Sequence, residues 1–313
     1  MSGWGKVAVL GHTGFLGTVV TRHLEEVGAF HAGASLSSGV DMRELDELRR
    51  WFDEARPDVV LNCAAYVGGI QFGLKHPVQI FENNLAMTLN IYRSCAEFGV
   101  KRLVNPISNC IYPSQASLFR EPEVWDGPLD DSVLIYGLAR KLHFVGARAY
   151  EQEFGFDTLN IVLPNMYGPG DHFDPMRSHA LGALISKIVN AHRHAHPEVT
   201  IWGTGKPIRE WLYVEDGADA MLAALDVARF PDLINVGTGV GSSILETAEL
   251  IKQLVGYQGA LVCDTTKMDG APCKTLDGSR GRDLLGWEAK VPFEEGLRLT
   301  IDWFVENDRA RGA

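Results

Sequence analysis

Two groups of residues in this 313-residue chain have types and spacings suited to chemistry: a glycine loop near the start and a tyrosine with a cation one helical turn on. Residues 6–10 (KVAVL) are apolar and β-prone, and they run into Gly11-His12-Thr13-Gly14-Phe15-Leu16-Gly17 ahead of a helix. A glycine at such a turn permits the tight backbone, and the helix start offers unpaired N–H groups to a pyrophosphate. The spacing is G-x-x-G-x-x-G. Its place straight after the first strand favours dinucleotide binding over a plain βα turn. An acid at the end of the second strand, about 20 residues on, would hold a ribose hydroxyl, and an arginine a 2′-phosphate. The window 32–39 reads AGASLSSG and holds neither. Ser35, Ser37 and Ser38 suit ribose or phosphate equally, so the choice of NADP or NAD stays open.

Tyr136 and Arg140 lie four residues apart in a long amphipathic stretch. Four steps of about 100° leave them some 40° apart on one helical face. A neighbouring cation favours tyrosinate and fits the phenol for acid–base work at a carbonyl. Lys141 falls about 140° round the same helix and is expected to face elsewhere.

These residues need a scaffold, and the first 160 positions supply its pattern. Short apolar runs at 6–10, 58–64, 102–106 and 158–163 alternate with helical stretches at 18–27, 84–98 and 136–154. That alternation predicts an α/β fold, a Rossmann-type doubly wound parallel sheet with helices on both faces. From about residue 165 the pattern breaks into Gly/Pro/His-rich loops. A helix (180–192), strands (199–202, 233–236) and two more helices (244–255, 293–306) follow. The expected division is a cofactor domain over 1–164 plus about 206–240. A smaller interleaved substrate domain spans 165–205 and 241–313.

Composition narrows the function classes. There are 40 acids against 29 basic residues, a net charge of −11, which argues against a nucleic-acid partner held on a broad basic face. A few local donors still suffice for a small anion. No apolar run approaches the roughly 20 residues that span a bilayer, so no membrane partner is expected. The five cysteines (63, 95, 110, 263, 273) are scattered without C-x-x-C, so neither a disulfide framework nor a metal site is expected, and a cytoplasmic location follows.

Together these motifs resemble the extended short-chain dehydrogenase/reductases, whose signatures are G-x-x-G-x-x-G, a strand-end serine and Y-x-x-x-K. The likeness sharpens in AAYVGGI (64–70), SNCIYP (108–113), NMYGP (165–169), Ser178-His179, WGTG (202–205), REWL (209–212) and NVGTG (235–239). This series, from about residue 6 to 306, closely resembles the GDP-L-fucose synthase family. Its members epimerise GDP-4-keto-6-deoxy-mannose at C3 and C5, then reduce C4 with a nicotinamide cofactor.

By that resemblance Ser108 and Tyr136 bond the C4 carbonyl, while Cys110 and His179 are base and acid of the epimerisation. A thiol near 8.5 and an imidazole near 6.5 both lie within reach of neutral pH. The implied cofactor contacts are Gly11, Thr13, Gly14, Phe15, Leu16, Gly17, Ser35, Ala64, Ala65, Tyr136, Arg140, Pro164, Asn165, Met166 and His179. A GDP-sugar would meet Val67, Gly68, Asn165, Trp202, Arg209 and Lys274. For Arg209 the plain alternative is an ion pair with Glu210 or Glu215. A homodimer through helices 84–98 and 136–154 is also implied.

Three departures stand out. Arg140 replaces the family lysine, and an arginine is bulkier, planar and never deprotonated. Thr13 replaces the arginine that serves the 2′-phosphate, with no arginine after the second strand. The stretch 132–135 (SVLI) is more apolar than usual, and Ser108-Asn109 stands where two serines are usual. These changes surround the reducing machinery and leave Cys110 and His179 in place. Three alternatives remain: an epimerase with little or no reduction, another 4-keto sugar nucleotide as substrate, and a non-catalytic nucleotide-binding module.

Overall fold

The computed structural model describes residues 3–174, 177–228 and 233–312, with side chains of 309–312 left aside. The cofactor half runs β1 (Val7–Leu10), α1 (Phe15–Glu26), β2 (Phe30–Ala34), α2 (Leu45–Ala55), β3 (Val59–Asn62), α3 (Ile70–Lys75), α4 (Pro77–Glu97), β4 (Arg102–Ser108), α5 (Leu134–Phe154) and β5 (Asp157–Leu163). Then come β6 (Asn165–Tyr167), α6 (Ala180–Arg193), β7 (Glu198–Trp202), β8 (Ile208–Tyr213), α7 (Val214–Ala223), β9 (Ile234–Asn235) and β10 (Gly241–Ser243). The chain ends with α8 (Ile244–Val255), β11 (Ala260–Asp264), β12 (Cys273–Lys274), α9 (Ser279–Leu285) and α10 (Phe293–Gly312).

The main sheet has the order β2-β1-β3-β4-β5-β9, and every pairing in it is parallel. Its central strands β1 and β3 are buried along their whole length because both faces are covered. Val7 and Val9 of β1 pack with Val20 and Leu24 of α1 and Met221 of α7. Leu10 joins Phe52 of α2, Ile91 of α4 and Ala147 of α5 on the opposite face. The expected Rossmann-type sheet is therefore present. The loops after its strands' carboxyl ends carry the glycine loop, Ser35, Ala64 and the Ser108 turn, where ligands bind in open α/β sheets.

A second core lies beyond β5. Leu181, Leu184, Ile185 and Ile188 of α6 recur at helical spacing and meet Ile201 of β7, Ile251 of α8 and Ile301 of α10. Two small sheets serve this core, β11-β7 and a four-stranded one in which β8 pairs with β6, β10 and β12. The stretch 206–240 contributes to both sheets. β8 lies in the small sheet, and β9 alone of that stretch joins the large one. Glu210 of β8 is fully buried, and its carboxylate accepts from the backbone N–H of Thr238, Gly239 and Leu276, which fastens β8 to the neighbouring loops. Burial pushes its acid up against the pull of those bonds.

Candidate active site

The glycine loop is shaped by contacts that admit no side chain. Gly11 has φ of +76°, and a Cβ on Gly17 would lie 2.0 Å from the Gly11 carbonyl oxygen, so α1 sits directly on the β1 turn. Gly14, the N-cap, has no side-chain cap bond, and it leaves the first turn of α1 open at Phe15 and Leu16. A pyrophosphate cradle needs that geometry, and these residues fit a dinucleotide. Beside the loop stands a cluster of hydroxyls. Thr13 Oγ1 lies 2.7 Å from Ser37 Oγ, Ser37 lies 3.1 Å from Ser35, and Ser35 donates to Ser38 at 3.0 Å. The nearest arginine along the chain, Arg43, is committed to the Asp41 carboxylate and to Asn83.

Ala64 and Ala65 follow β3, where the Ala64 N–H donates to Asn62 Oδ1. The loop through Val67 and Gly68 is fastened at both ends. Asn84 of α4 accepts from Tyr66 N–H and donates to the Tyr66 carbonyl, and Gly69 N–H donates to the Arg177 carbonyl on the loop leading to His179. Pro164 and Asn165 continue from β5, and Asn165 donates to the Glu210 carbonyl at 3.2 Å. Met166 packs against the main core.

Ser108 ends β4 and caps the short 3-10 turn Asn109–Ile111, its Oγ accepting from Cys110 N–H at 3.2 Å. Among the described hydrogen bonds the Ser108 hydroxyl proton is not used, so it is free to donate to a ligand carbonyl. Gly137 lets α5 press onto that turn, because a Cβ there would lie 2.5 Å from the Cys110 carbonyl oxygen. Tyr136, next to Gly137, is thereby held within electrostatic reach of Cys110. Burial pushes its phenol up, the Arg140 charge pulls it down, and Cys110 pushes it up again. Lys141 turns away as expected, donating to the Val124 carbonyl under the Trp125 ring.

Three elements distant in sequence complete the site. Lys274 of β12 is buried, and its Nζ donates to Cys110 Sγ at 3.3 Å. His179 precedes α6, and burial, the Lys274 ammonium and His172 push its imidazole down to about 4. Lys274 therefore faces both Cys110 and His179. The remaining cysteines have different surroundings: burial raises the Cys63 thiol to about 12 and pushes Cys95 higher still.

Arg209 makes neither of the ion pairs that stood as its plain alternative. Its terminal nitrogens donate to the carbonyls of Ile208, Ala271 and Asp269, while Glu210 faces the other way and Glu215 meets Arg22 and His23. Trp202 is 46% exposed, with the Lys187 ammonium 4.7 Å and the Lys267 ammonium 5.9 Å from its ring centroid. These two lysines escaped the sequence reading, because no spacing rule joins 187, 202 and 267. His143, one turn beyond Arg140, escaped it too; its position on the Tyr136 face was the available signal.

The model of the NAD dependent epimerase/dehydratase family matches residues 7–237. A probable GDP-L-fucose synthase 1 of Oryza sativa subsp. japonica is 37% identical over 97% of this chain and 93% of its own. The GDP-L-fucose synthase of Escherichia coli strain K12 is 34% identical over 98% and 99%. A solved GDP-L-fucose synthetase from Naegleria fowleri bound to NADP superposes with a TM-score of 0.86 at 26% identity, over 99% of this chain and 96% of that one. With a Rossmann-type sheet, a glycine cradle and the Ser108–Cys110–Tyr136 cluster in one chain, it belongs to the NAD dependent epimerase/dehydratase family and, within it, to the GDP-L-fucose synthases.

Proposed function

We propose that this enzyme epimerises a GDP-4-keto-6-deoxy-hexose at C3 and C5 and then reduces C4 with NADPH or NADH. The observation that carries the reading is the seating of α5 at Gly137 on the 109–111 turn, the turn that Ser108 caps and that holds Cys110. The six-stranded sheet, with α7 packed on α1, serves as the cofactor unit. The small sheets with α6, α8 and α10 serve the sugar nucleotide.

A 4-keto group acidifies the hydrogens at C3 and C5. Cys110 removes each proton, and Lys274 holds a positive charge against the sulfur that must first carry negative charge. His179 returns a proton to the opposite ring face. A substrate diphosphate near Lys274 and His179 opposes the forces that hold this imidazole neutral. Ser108 and Tyr136 then bond the C4 oxygen, and Tyr136 protonates it. The nicotinamide, when bound, supplies the hydride. Gly11 to Gly17 hold the cofactor pyrophosphate, with Ala64, Ala65, Pro164, Asn165 and Met166 along its path. Trp202 offers an exposed ring to the base. Lys187 and Lys267 flank it with positive charge for the substrate diphosphate, and Arg209 braces the 269–271 loop beneath.

An apolar stripe supports a homodimer. Val78, Phe81 and Leu89 of α4 and Leu138, Leu142 and Val145 of α5 are all exposed on two helices that pack together. Such a patch marks an interaction face, and a self-complementary one closes a two-fold pair. Light scattering tests it, with a monomer as the refuting result. No described helix is long and apolar enough to cross a membrane, and a working Cys110 thiol suits the reducing cytoplasm.

The functional test is incubation with GDP-4-keto-6-deoxy-mannose and NADPH or NADH in deuterated water. Loss of reduced-nicotinamide absorbance and deuterium at C3 and C5 are expected together. Deuterium without oxidation of either cofactor would leave an epimerase alone, the reading that Arg140 in the lysine position favours. Neither signal would remove the assignment.

A further inference from the structure

Arg140 takes the place of a lysine, yet a guanidinium is too large and too directional simply to fill it. Its side chain is only 3% exposed. One terminal nitrogen donates to the Pro106 carbonyl on β4, and the other lies 3.1 Å from His143 Nε2. Among the described residues no carboxylate partners it. His143 stands one turn further along the same face of α5, itself 2% exposed, with Thr88 Oγ1 of α4 2.6 Å from the same Nε2.

A guanidinium only donates, so the 3.1 Å contact with Arg140 uses the Nε2 lone pair and places the ring proton on Nδ1; a proton on Nε2 would instead serve Thr88 Oγ1, whose own hydroxyl donates to the Asn84 carbonyl. Nδ1 is buried without a partner. Burial and the Arg140 charge push the imidazole well below its usual range, so it stays neutral. An unpaired buried donor costs about 1–3 kcal/mol, which an apolar residue at this position would avoid. The cost is explained if the acceptor is needed.

We infer that His143 is a positioning residue for the reduction: with the Pro106 carbonyl it clamps the Arg140 guanidinium beside Tyr136, so that a permanent cation stands in for the family lysine. The inference rests on the proposed function for its catalytic consequence. The charged and titratable groups that act on Tyr136 are Arg140 from α5 and Cys110 from the facing turn. Those around His143 are Arg140, Thr88 and Tyr92, whose hydroxyl donates to the His143 carbonyl.

The test compares wild type with His143→Leu, His143→Gln and the double variant His143→Leu/Arg140→Lys. Tyr136 ionisation is read without cofactor from the near-ultraviolet tyrosinate band, taken as the difference from the matching Tyr136→Phe protein. His143→Leu is expected to move that ionisation up by about one pH unit, because a displaced cation no longer favours tyrosinate. Reduction should fall about tenfold, while deuterium exchange at C3 and C5 without cofactor stays within about twofold. His143→Gln keeps an acceptor and should restore both readings, and Arg140→Lys should restore reduction in the Leu background. An unmoved tyrosinate titration, or equal loss of exchange and reduction, overturns the inference. If His143→Leu does not fold, His143→Met removes the acceptor with a more adaptable side chain and is read the same way. A wild type that neither exchanges nor reduces would refute the proposed function, and the tyrosinate titration would still decide the role of His143.

Discussion

Tyr136, Arg140 and His143 lie along one face of one helix, whereas Cys110, His179 and Lys274 come from a 3-10 turn, a pre-helical loop and a two-residue strand. The first group is held by regular i, i+4, i+7 spacing, and its geometry survives as long as α5 does. The second exists only when the small sheet docks over the carboxyl ends of the large one. The two groups also differ in how they treat charge. The helical group places an always-charged guanidinium against a neutral imidazole. The assembled group sets one ammonium against a thiol and an imidazole, and its charge helps to keep the imidazole neutral. A helix face tolerates exchange of Lys for Arg when a neighbour on the same face adapts. A site pooled from three segments has no such local partner, which accounts physically for Cys110 and His179 matching the family while position 140 departs.

The comparison breaks most sharply under two single substitutions. Cys110→Ser removes the proposed base and should lower solvent-deuterium incorporation at C3 and C5 by about 10²–10⁴-fold, the usual worth of a positioned acid–base group. Tyr136→Phe should lower reduction by a similar factor and leave incorporation near wild type. Mass spectrometry of the recovered sugar and nicotinamide absorbance read the two steps separately. Equal loss of both steps in either variant would mean that the groups do not work apart.

A smaller effect is expected from Lys274→Met, which acts on the assembled group alone. Peptide-mapped alkylation of Cys110 by iodoacetamide at neutral pH should slow about tenfold, since the thiolate is the nucleophile and its cation is gone. His179 should titrate above its present value of about 4, because the Lys274 charge is one of the forces holding it down. Proton NMR of the imidazole checks the direction. A stability consequence follows. A histidine held near 4 binds its proton less readily folded than unfolded, so wild-type stability is lost as pH falls from about 6.5 toward 4. Lys274→Met should shrink that loss. Unchanged alkylation and an unmoved His179 would show that the 3.3 Å contact has no electrostatic consequence.

What was legible in the sequence follows the same contrast. Period and spacing placed the glycine loop, the parallel sheet, and Tyr136 with Arg140 on one face and Lys141 on another, because those relations lie within one element or between successive ones. The Lys274–Cys110 contact spans 164 positions and arises only through the parallel pairing of β12 with β8. No local pattern encodes it, and Lys274 read from sequence alone was a nucleotide contact. The place of β8 in the small sheet is hidden for a related reason: its deciding feature is Glu210, whose buried carboxylate finds its donors on loops far along the chain.

The smallest effect is expected at the hydroxyls beside the glycine loop, which belong to neither group. Thr13, Ser37, Ser35 and Ser38 are linked in that order as a chain of hydroxyls at the position where an acid or an arginine would choose between cofactors. Without a carboxylate there, nothing repels a 2′-phosphate. With Arg43 already neutralised by Asp41, no strong cation attracts one. Such a cradle discriminates by neutral hydrogen bonds, each worth about 0.5–1.5 kcal/mol net. Ser37→Ala removes the hydroxyl that links Thr13 to Ser35 and should raise KM about threefold for NADPH and less for NADH, with kcat unchanged for both. Steady-state kinetics with each cofactor decide it. A loss of tenfold or more for NADPH alone would mean that the hydroxyl chain is a dedicated phosphate site. The departure from the family at Thr13 would then be a substitution of one phosphate-binding device by another.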